Sequence, residues 1–129
     1  MHRNLTSNLV VAAVLGLATI SGTYAHETAK GPNGGAVVDV SGHHVEFVPS
    51  ATEVTFYLTG EADAPIASTG AKVKAITQDT GTTAQLDLAP VEPNKLVGKL
   101  TAPLAKGAKV VVTGALSDGH SLQAKFVMP

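Results

Sequence analysis

The sequence predicts an all-β chain, an immunoglobulin-like antiparallel β-sandwich of seven or eight short strands, with a small β-barrel as the alternative. Three observations lead there. Apolar positions alternate with polar ones over short runs. Glycine or proline interrupts the chain roughly every eight to twelve residues, the spacing of turns in all-β domains. The third is a core supply of mostly Val, Leu and Ala, with no tryptophan.

The elements read off in order. Ala36 to Val40 is a strand closed by Ser41-Gly42, a tight turn, and His43 to Val48 returns to Pro49-Ser50. Glu53 to Leu58 alternates cleanly, with Val54, Phe56 and Leu58 on one face and Glu53, Thr55 and Tyr57 on the other. Gly60 to Ala64 is a loop and Pro65 to Ala67 a short edge segment. Ala71 to Thr77 and Thr82 to Leu88 flank the turn Asp79-Thr80-Gly81. Ala89 to Asn94 holds two prolines and reads as a connection. Lys95 to Leu100 is a further strand, and Lys109 to Leu116 with Ser121 to Val127 forms a last hairpin. One core is expected to contain Val54, Phe56, Leu58, Leu86, Val111 and Phe126.

Residues 1–25 have the form of a cleaved signal peptide: Arg3 near the start, an apolar run from Leu9 to Ile20, and small Thr23 and Ala25 before the cut. The run is shorter than the roughly 20 residues a spanning helix needs. The expectation is export to the periplasm, cleavage after Ala25, and no stable membrane anchor afterwards. Residues 26–35 then form an extended N-terminal arm and 36–129 a single β-sandwich domain. Losing Arg3 leaves 8 basic against 10 acidic residues, with no basic cluster, so nucleic acid is not an expected partner. The chain has no cysteine, so no disulfide supports it and no thiolate is offered to a metal. No nucleophile motif joins Ser41, Ser50 or Ser121 to histidine and aspartate, and the chain is not read as an enzyme. The glycines of Gly31-Pro32-Asn33-Gly34-Gly35 lack the preceding strand and following helix of a phosphate cradle, and read as a turn.

The chemistry concentrates in histidines. On a strand His44 and Glu46 share a face, while His43, Val45 and Phe47 share the other. A His-x-Glu pair is half a site for a divalent cation; two decorations of a solvated face are the bland alternative. Cleavage after Ala25 makes His26 the N-terminus, offering amine and imidazole together to copper(II), or leaves it on a frayed tail. His120 stands in the turn Asp118-Gly119-His120-Ser121, either solvated or brought to the site by the final hairpin. The expected composite is His26, His44 and Glu46, with His120 or His43 added, holding Cu(II) or Zn(II).

Gly31-Pro32-Asn33-Gly34-Gly35, an apolar strand and then His44-Val45-Glu46-Phe47 together resemble small periplasmic modules found with heavy-metal efflux systems, free-standing or joined to adaptor subunits of the pumps. Asp63-Ala64-Pro65-Ile66 and the ending Asp118 to Phe126 resemble elements of the same sandwiches. Asn33 stands where many such modules have histidine. The His26 terminus looks similar to that of exported copper proteins of sandwich fold. The resemblance implies metal binding or buffering in heavy-metal efflux or resistance, with a periplasmic efflux adaptor or other envelope protein as partner. A metal-independent protein-interaction module is the alternative.

Overall fold

A computed structural model describes residues 29–129. Nine antiparallel strands follow one another: β1 (Ala29–Lys30), β2 (Ala36–Val40), β3 (His43–Pro49), β4 (Glu53–Thr59), β5 (Lys72–Asp79), β6 (Thr82–Val91), β7 (Lys95–Lys99), β8 (Lys109–Ala115) and β9 (Ser121–Val127). A single 3-10 turn at Glu61–Asp63 is the one helical element among the described residues. The described residues are all-β, as their alternation predicts.

The hydrogen-bonded order is β1-β2-β3-β4-β7-β6-β5-β8-β9, one curled sheet rather than two separate ones. β6 makes the curl. Its first part, Thr82 to Leu88, pairs with β5. Its end, Ala89 to Val91, changes partner to β7. The segment expected as a connection is therefore the joint between two halves. Pro90 sits opposite Leu96 in that joint, where the ladder is only three residues long. The segment Pro65 to Ala67, expected at an edge, contributes only an isolated bridge between Thr59 and Pro65.

Curling lays the last strand over the first ones. Phe47 of β3, Phe56 of β4 and Phe126 of β9 are all buried, with ring centroids 5.1–5.7 Å apart. Contacts of this kind add to simple burial. Val38, Val45, Val54, Leu58, Leu96, Val110, Val112 and Leu122 fill the space around them. Leu86 packs against this core from a half-buried position. Val111 does not join it. Val110 and Val112 are the buried pair of β8, and Val111 faces outward opposite Ile76 and Lys125. Three consecutive valines carry no alternation, so the face could not be read from them.

Residues 29–35 fold back along the sheet. Ala29 and Lys30 pair with Val37 and Ala36. The Gly31 N–H donates to the Gly35 carbonyl at 2.8 Å, and the Gly34 N–H to that of Gly31 at 3.0 Å. The result is a hairpin turn folded onto β3. A Cβ on Gly31 would run into the Glu46 carboxylate, and one on Gly35 into the Phe47 carbonyl. These glycines permit close approach of two backbones.

Candidate metal centre

The hairpin of β2 and β3 sets the geometry. Ser41 and Gly42 both have positive φ, 51° and 84°, the backbone of a tight two-residue hairpin loop. Val40 then pairs with His43 and Asp39 with His44. The two histidines fall on opposite faces, as alternation requires.

On the outer face His44 and Glu46 take different partners. His44 Nε2 meets Asp39 Oδ2 at 3.3 Å, with both side chains open to solvent. Asp39 Oδ1 also accepts the Gly42 N–H at 3.1 Å, which ties this carboxylate to the turn. Glu46 is only 4% exposed and is fully engaged elsewhere. Its Oε2 accepts the N–H groups of Asn33 and Gly35 at 2.9 and 2.8 Å. Its Oε1 accepts the Asn33 side-chain amide at 3.1 Å. His44 and Glu46 thus share a face, each with its own hydrogen-bonding or ionic partners. Glu46 is a buried acceptor that satisfies the turn's backbone donors. Asn33 supplies two of the donors, its backbone N–H and its side-chain amide. His44 and Glu46 both line an outer-face cleft, with Lys30, Asp39, Tyr57 and Asp63.

The other face gathers what the sequence keeps apart. His43 follows the core line of Val45 and Phe47 to the rim of the sheet, where it is half-buried. β9 crosses the core at this point, and His120 immediately precedes it. The His43 and His120 rings stand 5.0 Å apart, tilted by 53°. Asp118 completes the group. Its Oδ2 lies 2.8 Å from His120 Nδ1 and its Oδ1 accepts the His120 N–H at 2.9 Å. One donor atom each from His43, Asp118 and His120 lie within 4.8 Å of one another. His120 reaches His43 through the curl of the sheet; β9 pairs with β8 and makes no ladder with β3.

The bonds from the His120 backbone and imidazole hold the Asp118 carboxyl below its ordinary range, with the charges of His120 and His43 adding to the effect. A lowered carboxyl favours the folded turn above the ordinary aspartate range, and that contribution is lost as pH falls through the folded value. Sequence reading treats Asp118 only as a turn residue. Its position two before His120 is the aspartate-turn pattern that could have found it.

His26 and the segment 1–25, with its expected cleavage site, lie outside the described residues. No helix among the described residues is long and apolar enough to cross a membrane. Comparison with protein-family models, curated proteins and solved structures finds no match to this chain.

Proposed function

We propose that this protein is an exported, periplasmic metal-binding or metal-buffering module of a heavy-metal efflux or resistance system, taking Cu(II) or Zn(II). The observation that carries the reading is the convergence of His43, His120 and Asp118 donor atoms within 4.8 Å at a solvent-facing rim. Two imidazoles, one of them backed by a carboxylate, suit borderline divalent cations, and no thiolate is offered for copper(I). The centre of the site moves from His44 and Glu46 to His43 and His120. The fold we read as a sandwich-like module, its two halves facing each other over the phenylalanine core and joined through β6.

His26 stays in the proposed ligand set on its chemistry alone: cut after Ala25, the chain would offer its terminal amine and an imidazole together. Cleavage after Ala25 is the condition for that chelate, and N-terminal sequencing of periplasmic protein checks it: a mature chain starting elsewhere removes the amine from the site.

Calorimetric titration of the processed protein with zinc and copper(II) tests the whole. His43→Ala and His120→Ala should each weaken binding at least tenfold. His44→Ala should change it less than threefold, and one added residue before His26 should weaken copper(II) more than zinc. Affinity should fall with decreasing pH, because ligand nitrogens must shed their protons to bind. If the parent binds no tighter than a histidine-bearing peptide, or the rim variants bind like the parent, the metal-independent interaction module is the better reading.

A further inference from the structure

We propose that His43 and His120 form a two-imidazole seat for a divalent cation of the zinc or copper(II) class, with Asp118 acting on it through His120 rather than as a ligand. This rests on the metal-binding reading above and specifies how the site is built. It makes Asp118 a positioning residue that selects which nitrogen of His120 faces the ion.

A neutral imidazole carries its proton on one nitrogen and an acceptor lone pair on the other. The Asp118 carboxylate lies 2.8 Å from His120 Nδ1, so the proton belongs there, donated to Oδ2. Nε2 is left unprotonated and available to a metal. Carboxylates behind metal-bound histidines fix ring orientation and tautomer in this way. The second carboxylate oxygen is also engaged, because Oδ1 accepts the His120 backbone N–H at 2.9 Å. Recruiting either oxygen as a ligand would weaken a bond that shapes the turn. The short range of both bonds, within three residues of one loop, makes the arrangement local.

The two rings need little movement to share an ion. Two nitrogens at about 2.0–2.1 Å from one zinc stand about 3.3 Å apart in a tetrahedral site. One nitrogen of each ring already lies within 4.8 Å of one of the other. Rotation of the half-buried His43 side chain covers the difference while Asp118 keeps His120 in place. The remaining positions face solvent, since the His120 and Asp118 side chains are 63% and 45% exposed. Such a seat leaves room for water or for a ligand from a receiving protein. It is built for exchange, not for closed structural binding.

The test compares the parent with Asp118→Asn and Asp118→Ala. In metal-free parent protein, above the pH range where imidazoles protonate, long-range nitrogen–proton NMR should show His120 with its proton on Nδ1. In Asp118→Ala the tautomer should become mixed, and zinc affinity by calorimetry should fall about tenfold to a hundredfold. Asparagine keeps an oxygen to accept the Nδ1 proton, so Asp118→Asn should recover most of both signals. A His120 proton on Nε2 in the parent overturns the proposal. So does zinc binding in Asp118→Asn as weak as in Asp118→Ala, the pattern of a directly ligating carboxylate; the metal-binding reading would survive that result. No zinc binding by the parent overturns the metal-binding reading and the seat with it.

Discussion

Truncating Phe56 to alanine is expected to lower the free energy of unfolding by about 3–5 kcal/mol. The ring is fully buried and touches Phe47 and Phe126, so the change removes its own contacts and leaves a void between the first and last strands. A domain of this size has about 5–15 kcal/mol in total, so the loss is a large share of it. Urea denaturation followed by far-ultraviolet circular dichroism measures it. Lys74→Ala, on an exposed position of β5, serves as the control and should move stability by less than about 0.5 kcal/mol. A Phe56 variant as stable as the control would mean that the aromatic trio does not hold the sheet closed.

Replacing Glu46 by alanine is expected to cost about 3 kcal/mol, nearly as much, for a different reason. Hydrogen bonds to a charged acceptor contribute about 1.5–3 kcal/mol, and removing the acceptor strands buried donors. The buried Gly35 N–H would lose its partner, while the exposed Asn33 groups would turn to water. Glu46→Gln keeps one accepting oxygen but turns an amide donor toward the others, and should cost about half as much. Hydrogen exchange gives the sharper readout: Asn33 and Gly35 amides should lose protection in both variants, while β8 keeps its own. Zinc and copper(II) affinity of folded Glu46→Gln should match the parent, because this carboxylate belongs to the turn. A tenfold loss of metal affinity with stability unchanged would return Glu46 to the ligand set.

The strand pattern is legible in the sequence where a single face is buried. β4 and β9 alternate without a break, and their buried residues follow directly from that alternation. It fails where both faces are apolar, as at Val110 to Val112, and where a strand changes partner, as at Ala89 to Val91. The candidate site was half legible. The His-rich segment stands out by composition, and alternation correctly separates His43 from His44. Which of the two faces meets a distant histidine depends on the path of β9 over the core, which no local pattern encodes. Glu46 is hidden for a related reason. A carboxylate on a strand is ordinarily solvated, and only the glycine turn folded over it makes it an interior group.

The rim where His43 meets His120 joins segments from opposite ends of the described chain. An unfolded chain keeps these imidazoles far apart, so an ion gripped by both would bind the native state almost exclusively. It would then behave as a removable cross-link between the first hairpin and the last strand. By mass action, a concentration a hundredfold above Kd would stabilise the native state by about 2.7 kcal/mol. Chelators would loosen the closure of the curled sheet without touching the aromatic rings beneath it, making metal supply a control on the protein's own lifetime against proteases.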